Sequence, residues 1–232
     1  MFSNPSACRL LHSRLRCSRS GLLPRRAIAE RAMRVTGGTL GGRLLHVPAS
    51  GVRPSADRVR ESLFACLGAL DGAGVLDLYS GTGALGIEAL SRGANTAVFV
   101  DRDARTLAVM RRNLDELGLR ERARVVRSDA VRALRRLERE RERFDLILAD
   151  PPYASGEAER VLIEVARGAI LVPGGTLVLE CGRRHPLPTP EGLAVVDERH
   201  YGDTRVVRFE APEAVDRSSP RTRLEETGAG RA

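Results

Sequence analysis

The feature that most constrains the fold is an alternation of short apolar runs and amphipathic stretches that begins at residue 74. The apolar runs predict strands at 75–79, 97–101, 123–127, 144–149, 176–180, 193–199 and 204–210. The amphipathic stretches predict helices at 84–92, 103–118, 130–142 and 157–170. Continuous apolar strands separated by helices are typical of a sheet covered on both faces, so we expect an α/β fold with a mostly parallel, seven-stranded sheet. The last two strands have no helix between them and are predicted to form an antiparallel edge hairpin.

Two smaller elements are predicted ahead of this sheet. Residues 33–48 contain two short apolar runs around a glycine-rich turn, which indicates a β-hairpin. Ser55 or Asp57 is a candidate N-cap for a following helix whose apolar residues share one face. We therefore interpret 33–72 as an N-terminal hairpin and helix and 73–211 as the main domain. Residues 212–232 are predicted to be a disordered tail.

The net charge of +8 is concentrated at the N-terminus. The chain has 38 basic residues, all of them arginine, and 30 acidic residues. Seven arginines and one acid give residues 1–32 a charge of +6, whereas 31 arginines and 29 acids leave only +2 for residues 33–232. Three interpretations of the Arg- and Ser-rich, predicted disordered segment 1–32 stay open: a transit peptide, a flexible nucleic-acid-binding arm, or sequence upstream of a true start at Met33. The last is preferred because patterned sequence begins at Met33.

Several protein classes do not fit the sequence. No window approaches the ~18 consecutive apolar residues of a membrane span, and residues 1–32 lack the apolar core of a secretory signal. The four cysteines and four histidines show neither CxxC nor HExxH spacing, so no metal site is expected. We expect a cytoplasmic monomer that contacts no membrane.

A glycine-rich loop directly follows the strand predicted at 75–79. Gly81, Gly83 and Gly86 form a GxGxxG pattern at the start of the next helix. Asp101 ends the following strand, where a carboxylate can hold ribose hydroxyls. This arrangement predicts a nucleotide-type site at the carboxyl edge of the parallel sheet.

Two cofactors fit such a loop, a dinucleotide and S-adenosylmethionine. Asp77 lies four residues before Gly81, and its carboxylate would repel a pyrophosphate but attract the ammonium group of S-adenosylmethionine. This favours S-adenosylmethionine. Asp129, after the third strand, is placed to bind an adenine amine or to cap a helix, and the two roles are compatible. Tyr79, at the end of the first strand, is also assigned to the cofactor site.

The tetrad Asp150-Pro151-Pro152-Tyr153 follows strand 144–149 at the same edge of the sheet. The two prolines stiffen the loop and leave its carbonyls unpaired by strand bonding. The Asp150 carboxylate and a free carbonyl can accept both hydrogens of an exocyclic amine, while Tyr153 stacks on the ring that bears it. This favours the geometry in which the nitrogen lone pair attacks a methyl group. The tetrad therefore predicts methyl transfer to a ring amine.

Together these motifs resemble the RsmD family of bacterial 16S rRNA guanine-N2 methyltransferases. The resemblance covers about residues 33–210 and rests on the segments MRVTGGTLGGRLLHVP, RPSADRVRESLF, DLYSGTGALGIEALSRGA, VFVDRD, SDA, DPPY and YGDT. It implies a Rossmann-like class I fold that depends on S-adenosylmethionine. Residues 1–32 and the tail after Glu210 have no counterpart in the family.

The resemblance also implies roles for individual residues. Asp150 and the Pro151 carbonyl would hold the guanine amine, and Tyr153 would stack on the base. The residues expected to line the cofactor site are Gly81, Gly83, Asp101 and Asp129, with Asp77 added by analogy. The arginines expected to face rRNA phosphate or the reaction cavity are Arg53, Arg58 and Arg60.

The predicted function is methyl transfer from S-adenosylmethionine to the N2 amine of one guanine in 16S rRNA, free or in an assembling small ribosomal subunit. Three alternatives stay open. A DNA adenine-N6 methyltransferase shares the tetrad, although this chain is short for a separate DNA-recognition domain. An NAD-dependent oxidoreductase would use the glycine loop and Asp101, but it leaves Asp77 and the tetrad unexplained. A non-catalytic ribosome-assembly factor would bind RNA without needing an intact tetrad.

Overall fold

The computed structural model describes residues 30–48, 56–153 and 156–213. A two-stranded sheet comprises β1 (Glu30–Arg34) and β2 (Leu44–Pro48), and it is followed by helix α1 (Ala56–Leu67). The strands of the main sheet are β3 (Gly74–Leu78), β4 (Thr96–Asp101), β5 (Ala123–Arg127), β6 (Phe144–Ala149), β7 (Leu171–Gly182), β8 (Ala194–Tyr201) and β9 (Thr204–Glu210). Its helices are α2 (Ala84–Ser91), α3 (Ala104–Glu116), α4 (Ala130–Arg139) and α5 (Glu157–Arg167).

The seven-stranded sheet has the order β5-β4-β3-β6-β7-β9-β8. Strands β3 to β7 pair in parallel, whereas β9 is antiparallel to both β7 and β8. The predicted parallel sheet with an antiparallel edge hairpin is thus confirmed. The chain builds outward from β3 to β5 and then returns to place β6 on the other side of β3. The carboxyl ends of β3 and β6 therefore flank the switch point at which α/β proteins bind ligands.

Helices cover both faces of the sheet. Leu76 and Leu78 of β3 pack in one apolar cluster with residues of α4 and α5, such as Leu134 and Val161. Val75, the residue before Leu76, packs in a second cluster with residues of α1, α2, α3 and the β1–β2 hairpin. Because both faces are buried, the strands need apolar residues at successive positions, which explains the continuous apolar runs of the sequence.

The N-terminal hairpin is anchored on the main domain through polar contacts. Asn113 of α3 is buried, and its side-chain amide accepts from the His46 backbone N–H at 2.8 Å and donates to the His46 carbonyl at 3.0 Å. The same amide donates to the Thr82 carbonyl at 3.1 Å, at the glycine loop. The β1–β2 pairing confirms the predicted hairpin, although β1 begins at Glu30, three residues before Met33.

Strand β7 and helices α4 and α5 differ from their predicted bounds. Strand β7 begins at Leu171, and its register with β6 shifts between Leu171 and Thr176. Gly174, with φ of 72°, lies within this irregular stretch. Helices α4 and α5 each end three residues earlier than predicted, and Arg141 adopts a left-handed conformation just after α4. Among the described residues, no helix has the length and apolar character needed to span a membrane.

Candidate active site

The glycine loop after β3 requires glycine for steric reasons, as Gly83 and Gly86 show. Gly83 caps the start of α2 with φ of 87°, a left-handed conformation that L side chains rarely adopt. A Cβ at Gly86 would lie 2.3 Å from Cε1 of Phe99 in β4, so any side chain there would push α2 away from the sheet. The loop therefore depends on glycine for its turn and for close helix–strand packing.

Asp77 lies beneath this loop with 1% of its surface exposed. Its Oδ2 accepts the Gly86 N–H at 2.9 Å, while its buried Oδ1 has no hydrogen-bond partner among the described residues. Burial raises the pKa of Asp77 to about 8, the Gly86 hydrogen bond opposes the rise, and the charges of Asp101 and Asp150 add to it. A cationic group beside Oδ1 would stabilise the ionised carboxylate.

Two further predicted carboxylates organise the backbone around the site. Asp101 accepts the Gly81 N–H at 2.8 Å through Oδ2 and the Asp103 N–H at 2.8 Å through Oδ1, so it ties the end of β4 to the glycine loop. Asp129 is the N-cap of α4, where its side chain accepts the Arg132 N–H at 3.1 Å. The helix-cap interpretation of Asp129 is therefore confirmed.

A cavity of about 320 Å³ joins the two predicted halves of the site. It lies at the carboxyl ends of the central strands. The residues lining it include Tyr79, Asp101, Ser128, Asp129, Asp150 and Pro152. Three cofactor-site candidates and two members of the tetrad therefore share one crevice, whereas Asp77, Gly81 and Gly83 do not line it. No group of His, Cys, Asp and Glu side chains in the described part of the chain could hold a metal ion.

Tyr79 and Glu157 form a polar pair on the wall of this cavity. Tyr79 has φ of 58°, a costly conformation for a residue with a side chain. Burial raises the pKa of the Tyr79 phenol, and so do the charge of Glu157 and the hydrogen bond to it. Glu157 also lies 3.6 Å from Arg102, and its buried Oε2 has no partner among the described residues. Glu157 had no predicted role, and its local signal is limited to its position at the start of α5.

The tetrad follows β6 directly. Asp150 and Pro152 are exposed, Pro151 is buried and Tyr153 is half-buried. The Tyr153 hydroxyl donates to Oε1 of Glu180 at 2.6 Å.

The Tyr153 hydroxyl also lies 2.7 Å from Oγ1 of Thr204, which is buried on β9. The ring lies over Gly182, where an added Cβ would be 3.8 Å from the Cβ of Tyr153. Strands β7 and β9 therefore hold the ring in place. Glu180 had no predicted role, and Thr204 appeared only within the YGDT segment.

The three predicted substrate-facing arginines have different outcomes. Arg53 lies outside the described residues, and Arg58 is exposed near the start of α1. For Arg60 the prediction was wrong, because only 3% of the surface of this residue is exposed. Its Nε lies 3.2 Å from Oε2 of buried Glu88, and its guanidinium also donates to the Arg34 carbonyl. Arg60 therefore joins α1 to α2 and β1 and is not available to RNA.

Comparison with known proteins shows the wider relationships of the chain. The family model "Conserved hypothetical protein 95" matches residues 33–210. The chain is 38% identical over 180 residues to "Putative rRNA methyltransferase YlbH" of Bacillus subtilis, an alignment that covers 76% of this chain and 98% of that protein. It is 32% identical over 177 residues to "Ribosomal RNA small subunit methyltransferase D" of Haemophilus influenzae, covering 75% of this chain and 91% of the relative.

A solved structure gives the same relationship at the level of the fold. The chain superposes on the Escherichia coli "Putative methyltransferase yhhF" with a TM-score of 0.69 and 28% sequence identity. The superposition covers 79% of this chain and 100% of that one. The predicted Rossmann-like methyltransferase fold is confirmed.

Proposed function

The chain belongs to the RsmD family, described as conserved hypothetical protein 95, and from this membership we propose that it transfers a methyl group from S-adenosylmethionine to the N2 amine of a guanine in 16S rRNA. The observation that carries the proposal is the crevice in which Tyr79, Asp101 and Asp129 lie together with Asp150 and Pro152 of the tetrad. An amine held by Asp150 would lie beside a donor bound at the ends of β3 to β5.

S-adenosylmethionine fits the residues at the ends of β3, β4 and β5. The unpartnered Oδ1 of Asp77 offers a buried acceptor for the ammonium group. Asp77 also accepts the hydrogen bond of the Gly86 N–H in the first turn of α2, where a dinucleotide would place its pyrophosphate. The loop is therefore better suited to an ammonium than to a pyrophosphate. Asp101 would hold the ribose hydroxyls, and Asp129 the adenine amine.

The tetrad would act by orienting the acceptor amine. When bound, S-adenosylmethionine supplies a methyl group on a positively charged sulfur, an activated form that needs no metal. The Asp150 carboxylate and the Pro151 carbonyl would accept the two amine hydrogens and direct the nitrogen lone pair toward the methyl carbon. Asp150 would also hold the proton that the methylated amine releases.

The target guanine has to leave its stack to reach this crevice. Tyr153 would receive it, because its half-buried ring is held in one orientation through Glu180 and Thr204. Stacking of a base on an aromatic side chain contributes about 1–3 kcal/mol. The proposed substrate is 16S rRNA, either free or in an assembling small subunit.

The variant Asp150→Ala tests this function. We expect loss of methyl transfer to 16S rRNA, measured with labelled donor and by analysis of N2-methylguanine in nuclease digests, while calorimetric binding of S-adenosylmethionine persists. Asp145→Ala is the matched control, since Asp145 is an exposed carboxylate on β6, the strand that leads into Asp150, and its Oδ2 accepts the Gly74 N–H at 2.8 Å. Full activity of Asp150→Ala would contradict the mechanism.

The substrate itself is tested with the wild-type protein. Methylation of adenine in duplex DNA with no methylation of rRNA would contradict the proposed substrate. Primer-extension mapping of 16S rRNA from a deletion strain would identify the guanine, as a stop present in the parent strain and absent from the deletion.

A further inference from the structure

Arg183 and Arg184 directly follow β7, at the same edge of the sheet as the tetrad. The last residue of β7, Gly182, lies against the Tyr153 ring. Arg183 and Arg184 are one and two residues after Gly182, and consecutive Cα atoms are about 3.8 Å apart. Both arginines therefore lie close to the ring. They are therefore neighbours of the surface on which we propose that the guanine stacks.

The backbone that carries these arginines is held in place. The Arg183 N–H donates to the Asp203 carbonyl at 2.8 Å, which ties this segment to the turn between β8 and β9. The His185 N–H donates to the Gly182 carbonyl at 2.8 Å and closes a turn around the pair. The same β8–β9 turn leads into Thr204, which contacts the Tyr153 hydroxyl. The arginines and the stacking ring therefore share one support.

The two guanidinium groups are available to a ligand. Both side chains are exposed, and neither pairs with an acidic side chain of the described residues. Within the part of the chain that the structure describes, the one side-chain hydrogen bond of Arg183 is a long one of 3.5 Å to the Gly202 carbonyl. Many other exposed arginines are neutralised locally, as in the pairs Arg124–Glu142, Arg135–Glu164 and Arg136–Glu140.

The distribution of charge around the crevice also favours binding of a polyanion at the end of β7. The ends of β4 and β5 carry both signs of charge, since the carboxylates Asp101, Asp103 and Asp129 lie beside the exposed Arg102 and Arg127. The carboxylates would weaken the binding of phosphate by these arginines. The end of β7 lies on the opposite side of β6 and presents two adjacent positive charges. An RNA backbone is therefore better accommodated over β7 than over β4 and β5.

We propose that Arg183 and Arg184 bind the RNA phosphates next to the target guanine while Tyr153 stacks on its base. This inference rests on the proposed function, because it assigns substrate contacts at the same site. A guanidinium binds phosphate through paired hydrogen bonds, and such contacts set position and register without reading sequence. An acidic protein partner would use the same charges, but it would have no need of a base-stacking ring beside them.

The double variant Arg183→Gln/Arg184→Gln tests the assignment. Two lost phosphate contacts are expected to raise the KM for rRNA roughly tenfold at 0.15 M salt, and to lower the slope of log KM against log salt by about 1.4. The kcat at saturating RNA and the Kd for S-adenosylmethionine should not change. The matched control is Arg143→Gln/Arg167→Gln, which removes the same charge at the opposite edge of the sheet.

The control and the binding measurement separate this inference from the proposed function. Equal KM values and equal salt slopes in the two double variants would overturn the arginine assignment while leaving methyl transfer intact. If wild-type protein failed to methylate rRNA, the proposed function would fall. Filter binding of 16S rRNA fragments would then still test the arginines, and unchanged binding by Arg183→Gln/Arg184→Gln would overturn their role.

Discussion

Glu88 of α2 and Asp77 of β3 are both buried carboxylates, yet their surroundings are opposite. Glu88 accepts the backbone N–H of Thr36 at 2.8 Å and its hydroxyl at 2.7 Å, and it pairs with Arg92 and Arg60. Asp77 accepts a single backbone hydrogen bond and leaves one buried oxygen without a partner among the described residues. Glu88 therefore joins the N-terminal hairpin and α1 to the main domain, whereas Asp77 lies buried beneath the glycine loop with one oxygen unsatisfied.

The pKa values of the two groups move in opposite directions. Burial alone would raise the pKa of Glu88, but hydrogen bonds from Thr36 and Arg92, with the charge of Arg60, hold it below its usual range. Burial raises the pKa of Asp77 to about 8, the Gly86 hydrogen bond opposes the rise, and the charges of Asp101 and Asp150 add to it. Glu88 thus finds its partners within the chain, while the proposed function gives Asp77 its missing partner in the ammonium group of S-adenosylmethionine.

The largest expected effect on stability comes from removing Glu88, the carboxylate whose partners lie within the chain. Glu88→Ala leaves Arg60 buried without its counter-ion, so the free energy of unfolding should fall by about 3–5 kcal/mol. Urea unfolding measures this loss. The matched control is Glu116→Ala, because Glu116 also has two partners, Arg112 and His46, but is exposed. Similar losses in the two variants would show that burial does not distinguish them.

Substitution of Asp77, the carboxylate with an unsatisfied oxygen, is expected to raise the free energy of unfolding. Asp77→Asn keeps an acceptor for the Gly86 N–H and removes the ionisable group, so the ligand-free protein should gain roughly 2–4 kcal/mol of stability at pH 7. Thermal and urea unfolding would check the gain, with Asp145→Asn as an exposed control. Destabilisation by Asp77→Asn would mean that the fold, and not a ligand, requires the carboxylate.

The same variant should lose ligand affinity. Without the charged partner of the ammonium, S-adenosylmethionine should bind about 10- to 100-fold more weakly to Asp77→Asn, as expected for a hydrogen bond to a charged group. Isothermal titration calorimetry measures the change. Unaltered affinity in a folded Asp77→Asn protein would remove Asp77 from the cofactor site.

The smallest expected effect is the dependence of the free energy of unfolding on pH. The folded-state pKa of Asp77, about 8, lies above the ordinary value of 3.8, so the folded protein holds a proton that the unfolded chain releases. The stability that this bound proton contributes is fully present below pH 3.8 and is lost as the pH rises toward 8. Between pH 5 and 7, wild type should lose about 1.4 kcal/mol per pH unit relative to Asp77→Asn. Parallel stability curves for the two proteins would contradict the assigned burial.

Much of the fold could be predicted because its signals are local. The apolar runs gave the strands of the main sheet, and β5, β6 and β9 match their predicted bounds. The cap at Asp129 and the glycine pattern of Gly81, Gly83 and Gly86 likewise depend on neighbouring residues or on a regular spacing. Helix ends were less accurate, since α4 stops where Arg141 turns left-handed, and nothing in its charge pattern indicates that.

The arginines show where local signals are insufficient. Arg58 and Arg60 are two residues apart and were assigned the same role, yet one is exposed and the other is buried against Glu88, 28 residues away in sequence. Arg183 and Arg184 carried no motif, and their position beside Tyr153 follows only from the pairing of β6, β7 and β9. Charge in a sequence is therefore informative only once its location in the fold is known.

The sequence by itself determined the order of strands and helices, the glycine loop and the tetrad, because these depend on side-chain periodicity and on residues close together in the chain. Only the tertiary structure decided that Tyr153 is held by Glu180 and Thr204, which are 27 and 51 residues away. It also decided that Glu88 is satisfied and Asp77 is not. Desolvation and charge pairing set these properties, and both depend on which distant segments pack together.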